Sequence, residues 1–426
     1  MREHQLELFA LEKDHGSLMK PEDFRKEIEN FQEFGTTTRI LKFPDTEFDI
    51  LVYVNEFWTS KQRAAHSLHE VSYRACFKPQ LPRFFIKKLT HQGDVVYDPF
   101  MGRGTTVLEA ALLGRIPIGC DINPLSQIMI RPRLDPPEMS VVRDRLRGLN
   151  LDRVIETWDE LLVFYHPKTL RALTNLRYYL LERSNLGQLD RVDAWIRMVA
   201  TNRLTGHSKG FFSVYTLPPN QAVSAERQRI INESRDQVPP ERDIREIILR
   251  KSRSLLSKLR YSDVETLHGV AGEQLLITGS ADYTPQIKND SVKLVITSPP
   301  FLDIVNYQTD NWLRCWFNGI DANSVKVWQL KDPIAWQERM SAVFKELRRV
   351  LAPGGHVAFE VGEVRGGKLL LETLVVPAAA QAGLRPTMVL VNDQVFTKTS
   401  NCWGVDNLKK GTNTNRIVLL GKPTLC

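Results

Sequence analysis

Hydrophobic residues in this chain follow two kinds of spacing, and the two are segregated along its length. Short β-rich runs bounded by glycine, proline or an acid occur at GDVVYDPF (from Gly93), IPIGCD (from Ile116), LLITGSAD (from Leu275) and VKLVITSPPF (from Val292). Between the first two lies TTVLEAALLG, with helical spacing and a terminal Gly114 suited to a helix C-cap. Strand, glycine loop, helix and strand in that order form a βαβ unit, which predicts a parallel sheet with right-handed crossovers. Across residues 136–271 the strand signals vanish, and long helical patterns such as KTLRALTNLRYYLLER and REIILRKSRSLLSKLR take over. After 272 the alternation resumes with the helix WQERMSAVFKELRRVL, the turn APGG, the strand HVAFEVGEV and the pair VLVNDQVFTK and NRIVLL. The predicted organisation is an N-terminal arm over 1–45, an α/β part over 46–135, a mostly helical insert over 136–271 and a second α/β part over 272–426. The sheet is therefore split in sequence by the insert.

Composition narrows the class. A chain of 426 residues with 42% hydrophobic and 25% charged residues has material for two to three globular domains, and excludes a disordered tail, a collagen-like fibre or a disulfide scaffold. No apolar run reaches the ~18 residues needed to span a bilayer, and MREHQLELF has acids where a signal peptide needs an unbroken apolar stretch. An unexported, cytoplasmic protein is the expectation. Five widely spaced cysteines without a Cys-x-x-Cys pair predict reduced thiols and no cysteine zinc site, and His66, His69 and His207 fall in no metal-ligand pattern. No metal is predicted. The formal charge is +7, and residues 136–271 hold 22 basic against 17 acidic residues, so a polyanionic partner would first be sought there. Within that segment the run Arg242–Arg260 reads either as a phosphate-tracking stripe or as a solvated helix face. Phe211, Phe212 and Tyr215 read either as stacking wedges or, more often at such spacing, as core.

Two motifs carry chemistry. The first is DPFMGRGTT, Asp98 to Thr106, between a strand and a helix, where glycines let the backbone approach a ligand and the helix start offers free N–H groups. The third glycine of a dinucleotide fingerprint is replaced by Val107, and no Gly-Lys-Ser/Thr follows as in a phosphate-binding loop. Asp121 ends the next strand at the sheet's carboxyl edge, where an acid can accept from two ribose hydroxyls. Asp282 ends a later strand, placed to receive an adenine amino group. The second motif is VITSPPF, Val295 to Phe301, in which two prolines hold Ser298 rigidly and leave backbone carbonyls that no proline N–H can satisfy. An exocyclic amine on a base is a poor nucleophile because its lone pair is delocalised into the ring. Acceptors at the Ser298 hydroxyl and a carbonyl such as that of Pro299 would favour a pyramidal nitrogen, and Phe301 offers a face for an extruded base.

Together, DPFMGRGTT and TSPPF resemble the amino-group DNA methyltransferases, which act on N4 of cytosine or N6 of adenine. The resemblance covers about residues 60–135 and 272–426, and the pairing of motifs is far more specific than either alone. It implies an α/β Rossmann-like fold, S-adenosylmethionine as cofactor, double-stranded DNA as partner and association with restriction-modification. Carried over residue by residue, the cofactor loop falls on Asp98, Phe100, Gly102, Gly104 and Thr105, with Asp121 on the ribose and Asp282 on the adenine. FKPQLPRFFIKKL is similar to the element closing over the methionine end, which adds Phe77 and Pro79. The catalytic tetrad falls on Ser298, Pro299, Pro300 and Phe301. Ser-Pro-Pro is typical of the cytosine-N4 members, whereas Asp or Asn before Pro-Pro is commoner among adenine-N6 members. The insert lies between Asp121 and Asp282, earlier than in the common layout of the family.

Alternatives stay open at this point: an adenine-N6 enzyme, an RNA enzyme acting on guanine N2 of tRNA, or a non-catalytic nucleic-acid-binding protein on the same scaffold. A cytosine-C5 mechanism needs a cysteine nucleophile, carried in that family as Pro-Cys, and no Pro-Cys occurs here. Near the N-terminus, QLELF (Gln5 to Phe9) is similar to the short peptide by which bacterial proteins dock on the replication sliding clamp.

Overall fold

The β-rich runs become strands that share one sheet. The computed structural model describes residues 21–424 except 46, 59–64, 74–75, 217–221, 301, 303–306, 329, 365–367 and 394–414. Gln5 to Phe9, with the clamp resemblance, and Phe301 lie outside the described residues. The strands are β1 (Arg39–Lys42), β2 (Leu51–Asn55), β3 (Val95–Asp98), β4 (Ile116–Asp121), β5 (Leu275–Thr278), β6 (Val292–Thr297), β7 (Leu351–Val361), β8 (Glu363–Val364), β9 (Leu369–Leu370), β10 (Arg385–Asn392) and β11 (Asn415–Gly421). Among the described residues, nine of them form a sheet in the order β1-β2-β10-β11-β7-β6-β3-β4-β5, and β8 pairs with β9 apart from it. The five strands from β7 to β5 are mutually parallel, and β11 lies antiparallel between β7 and β10. This is a Rossmann-like α/β sheet with an antiparallel strand inserted toward one edge.

Both faces are covered, which explains why the central strands are largely apolar. Tyr97, Val295, Val357 and Phe359 face one side, where they pack with Trp336, Phe344 and Val375 from the helices Pro333–Val350 and Glu372–Gln381. Val96, Leu294, Ile296 and Ala358 face the other side, against the helices Pro21–Glu29 and Gln80–Leu89. The N-terminal arm expected over 1–45 is, from Pro21 onward, part of this domain. Phe24 and Ile28 are fully buried and β1 forms the sheet edge, because short apolar clusters suffice where a strand has a neighbour on one side only. The expected turn APGG is absorbed into β7. Pairing with β6 jumps from Val292↔Leu351 to Leu294↔His356, and the bulged residues are satisfied by β11's end through Gly354 N–H to Lys422 O and Lys422 N–H to Gly355 O, both at 3.0 Å.

Between Met139 and Val270 the described residues form six α-helices and no strand. These helices do not enclose a core of their own. Leu173, Trp195 and Ile248 belong to one apolar cluster with Val107 and Leu108 of the helix Thr105–Leu112, Met129 of the helix Leu125–Leu134, and Leu313 of the helix Tyr307–Asn318. Within the insert, fully buried Asp193 is held by Arg145, by Arg183 at 2.5 Å and by the Tyr179 hydroxyl at 2.9 Å. Phe211 and Phe212 are buried, Arg203 stacks over Phe211 at 4.1 Å, and Arg235 covers Tyr215 at 4.0 Å, so these aromatics read as core. The run Arg242–Arg260 is tied inward at several points, with Arg245 donating to Leu146 O (3.1 Å) and Leu149 O (2.7 Å), and Arg250 to Lys209 O (2.9 Å).

Helix Thr105–Leu112 crosses helix Leu125–Leu134 at Gly104, which sits in the left-handed region at φ 75°. A Cβ there would lie 2.6 Å from Ile130 Cδ1. Gly104→Ala is expected to destabilise the fold by about 2 kcal/mol or more in urea titration, from backbone strain plus overpacking. Adding Ile130→Ala should return only the part due to the clash.

Candidate active site

Strands β3 and β6 lie side by side and parallel, yet the chain leaves β3 toward β4 and leaves β6 toward β7. Their carboxyl ends therefore open a crevice, the usual ligand position in such sheets. Asp98 ends β3 and is 2% exposed. Its Oδ1 accepts the Thr297 hydroxyl at 2.6 Å and the Phe100 N–H at 3.1 Å. Burial pushes this carboxyl up to about 7 despite those bonds. The first predicted motif is thereby joined, at the floor of the crevice, to the residue preceding Ser298.

The glycine loop builds the near wall. Gly102 has φ 48°, and a Cβ on it would meet no atom closer than 3.9 Å, so the bare backbone leaves space where a ligand can approach. Its N–H donates to Asp121 Oδ2 at 2.8 Å, and the Asn123 N–H donates to Oδ1 at 2.8 Å. Burial raises the Asp121 carboxyl and these two N–H groups pull it back. With the Ser126 hydroxyl as a third partner, the carboxylate still keeps lone-pair capacity for a ligand hydroxyl. Phe100, Gly102, Thr105 and Asp121 all line the cleft, whereas Gly104 turns away to pack on Ile130.

Asp282 does not line the cleft. Its carboxylate is taken by the Ser280 hydroxyl at 2.5 Å and by Arg339 at 3.0 Å from the helix Pro333–Val350, and Ser280 with Gly279 and Ala281 faces the cleft in its place. Phe77 lines the opposite wall with Tyr73 and Cys76, while Pro79 stands at the N-cap of the helix Gln80–Leu89, outside the lining. That wall is held by Arg103, the residue between the two glycines. Its buried guanidinium donates to Val71 O at 2.9 Å, Phe77 O at 3.4 Å and Thr105 Oγ1 at 3.2 Å. Fully buried Arg133 in turn bonds Arg103 O, Leu68 O (3.2 Å) and Met129 O (2.8 Å).

The second motif reaches the same cleft. Ser298 and Pro300 line it, with Pro299 buried behind them. The Pro300 carbonyl is not free for a ligand, as two exposed carbonyls would have been: it accepts the Trp336 indole N–H at 2.9 Å, which fixes the loop to the helix Pro333–Val350. The Ser298 hydroxyl hydrogen-bonds Glu360, a buried acid in β7 that sequence reasoning passed over within an apolar strand. Val327 and Trp328 close the cleft from the loop before that helix. Trp328 meets the Phe100 ring edge-on at 5.9 Å and 71°, and carries the Arg339 guanidinium 4.9 Å over its own ring. The only signal for it was a tryptophan in a polar stretch. The whole cleft holds about 840 Å3 of space, part of it open to solvent.

Comparison with known proteins agrees with this geometry. The sequence model described as DNA methylase, for N6 and N4 enzymes, matches residues 26–128. The chain is 28% identical over 135 residues to the Type II methyltransferase M.MjaII of Methanocaldococcus jannaschii, covering 29% of this chain and 24% of the relative. It is 32% identical over 149 residues to the Type II methyltransferase M.MvaI of Kocuria varians, covering 34% and 29%. Over these stretches the chain is similar to amino-group DNA methyltransferases. A tRNA (guanine(10)-N2)-dimethyltransferase of Methanocaldococcus jannaschii is also similar, 28% identical over 156 residues, covering 30% of this chain and 44% of that one. The matches span 24%, 29% and 44% of the lengths of these three relatives. The cofactor of such methyltransferases is S-adenosylmethionine, and the residues of the cleft would fit it: the side-chain-free approach at Gly102, acceptor oxygens on Asp121 and the aromatic pair Phe100 and Trp328. Among the described residues, no helix is long and apolar enough to cross a membrane.

Two outcomes follow from this arrangement. Trp328→Ala is expected to weaken binding of S-adenosylhomocysteine about tenfold by calorimetry, through loss of an aromatic wall, with the melting temperature little changed. Asp98 has a folded-state carboxyl raised above its unfolded value, so the stability it contributes is present at low pH and lost as pH rises through about 7. The stability of Asp98→Asn relative to wild type, from urea titrations at a series of pH values, should therefore rise across that window whatever its constant offset.

Proposed function

We propose that this chain transfers a methyl group from S-adenosylmethionine to the exocyclic amine of a DNA base, with N4 of cytosine as the target. The observation that carries the reading is the meeting of the two motifs: Ser298 and Pro300 line one cleft with Gly102 and Asp121, and Asp98 and Thr297 lock the two loops together at 2.6 Å. Bound there, the cofactor supplies an electrophilic methyl carried on a sulfonium.

The chain's own contribution is to bind, orient and exclude water. Gly102 and Asp121 hold the donor, with Phe100 and Trp328 across it. Ser298 accepts an N–H of the target amine, and the Pro299 carbonyl is the second acceptor. Drawing both N–H bonds out of the ring plane localises the nitrogen lone pair and aims it at the methyl carbon, so catalysis comes from positioning and hydrogen bonding. Phe301 would stack on the flipped base. The helical region 136–271 is proposed to recognise the duplex, with its net basic balance supporting contact to phosphates. Serine before Pro-Pro supports cytosine N4 over adenine N6. The similarity to the tRNA enzyme supports a second reading, an RNA guanine-N2 methyltransferase, on the same cleft.

Incubation with labelled S-adenosylmethionine and either genomic DNA or tRNA, followed by nucleoside analysis, separates these readings. N4-methylcytosine in DNA is the expected product, and Ser298→Ala should lower its rate about 100-fold while cofactor affinity is kept. N6-methyladenine would overturn the reading of Ser298, and label in tRNA alone would move the chain to the RNA enzymes.

A further inference from the structure

Three strand ends meet behind the catalytic loop. Ser298 follows β6, Glu360 is the penultimate residue of β7, and Asn415 begins β11. Ile296, Ala358 and Ile417 bury the same face of the sheet, so alternation along each strand places Ser298, Glu360 and Asn415 on that face as well. Glu360 is 5% exposed. Asn415 Nδ2 donates to its Oε1 at 2.7 Å, and the Ser298 hydroxyl is its other partner. Among the described residues it has no cationic partner.

A buried carboxylate with two neutral partners is costly. Its neighbours Ala358, Phe359 and Val361 show that the strand packs well on apolar side chains alone, so stability does not call for an acid here. The geometry accounts for it through Ser298. A serine hydroxyl has one proton and two lone pairs. If it gives the proton to Glu360, both lone pairs face outward and the oxygen can act only as an acceptor toward the cleft. Without that partner the hydroxyl is free to rotate, and it can point its proton at the amine it has to hold.

We infer that Glu360 is the positioning residue of the catalytic loop: it fixes Ser298 as an acceptor for the base's amine and takes up, through Ser298, the proton that the amine releases. This rests on the methyl-transfer reading above. The nitrogen–methyl bond forms as the sulfur–methyl bond breaks, leaving a thioether and a positively charged nitrogen. That nitrogen gives its proton to the Ser298 oxygen while the Ser298 proton passes to the Glu360 carboxylate. The products are a neutral methylamine, a restored serine and a neutral carboxylic acid, which returns its proton to solvent before the next turnover. Burial pushes the Glu360 carboxyl up to about 7, which suits a group that must accept a proton and release it near neutrality. Other ionisable groups at these strand ends are Asp98, also raised to about 7, and the Arg416–Glu372 pair at 2.5 Å.

The test is single-turnover methylation of DNA by wild type, Glu360→Gln, Glu360→Asp and Glu360→Gln combined with Ser298→Ala, from about pH 5 to 9. Glutamine matches the shape of glutamate and cannot take up the proton. Glu360→Gln is expected to be about 100-fold slower, with cofactor Kd within about twofold of wild type, and to lose the rise in rate through neutral pH. Glu360→Asp should recover part of the rate, and the double variant should be no slower than Ser298→Ala alone. Retention by Glu360→Gln of the wild-type rate and pH profile would overturn the inference and leave the methyl-transfer reading intact. A slower rate with an unchanged pH profile would reduce Glu360 to a packing role. A wild-type chain that binds cofactor and methylates no base overturns the reading and this inference together.

Discussion

The hydrogen bond between Thr297 and Asp98 is the constraint on which the site depends. The donor precedes Ser298 and the acceptor opens the glycine loop, so one buried contact of 2.6 Å sets the distance between the two loops that the proposed reaction brings together. It is short, shielded from water and placed where two parallel strands end side by side. Displacing either partner would separate the two loops, and the proposed methyl transfer would tolerate little error in approach. The carboxyl pays for this position with a strongly raised pKa. An acid held at the bottom of a cleft in that way is unlike a surface cap, where water would carry most of the load.

A second layer of control comes from arginines that bind backbone rather than acids. Arg103 and Arg133 spread their donors over the carbonyls of Val71, Phe77, Leu68 and Met129, which binds the segment before β3 to the glycine loop. Burial lowers the Arg133 guanidinium to about 9, still far enough above neutrality to keep its charge. A planar guanidinium suits this task, since several fixed donors can satisfy carbonyls that no secondary structure pairs. The insert joins the same wall, as Asn202 Nδ2 donates to Ser72 O at 2.9 Å beside Tyr73. Whatever the helical region binds is therefore mechanically close to the cofactor cleft.

Much of this was legible in the sequence because local rules and tertiary structure agree in the core of the sheet. The run from Val95 to Asp121 is apolar in β3 and β4, breaks at glycines where the backbone must turn and carries its acids at strand ends. Asp98, Gly102 and Asp121 could be placed around one strand-to-helix loop from that pattern, while their meeting with Ser298 was implied by the family resemblance. What escaped depends on contacts between distant segments. Trp328 gains meaning only when its loop folds over Phe100, and Asp282, read as a strand end, sits in the turn after β5 and is claimed by Arg339 from a helix far along the chain. Glu360 was hidden for the opposite reason, since a lone acid in an apolar strand carries no local signature. The bulge in β7 was read as a turn because glycine and proline signal both.

The division of the sheet by the insert has a consequence for how the molecule is made. Strand β4 ends at Asp121, but its neighbour β5 begins only at Leu275, and β6, which completes the cleft against β3, follows at Val292. Pairings so remote in sequence form slowly, because a long stretch of chain must be ordered before they are rewarded. During synthesis the edge of β4 thus stays unpaired until the helical region has emerged, with its apolar side chains exposed to other nascent chains. Much of the core shared between that region and the helices Thr105–Leu112 and Leu125–Leu134 lies earlier in the chain than β5 and β6, so those contacts are available before the sheet can be completed.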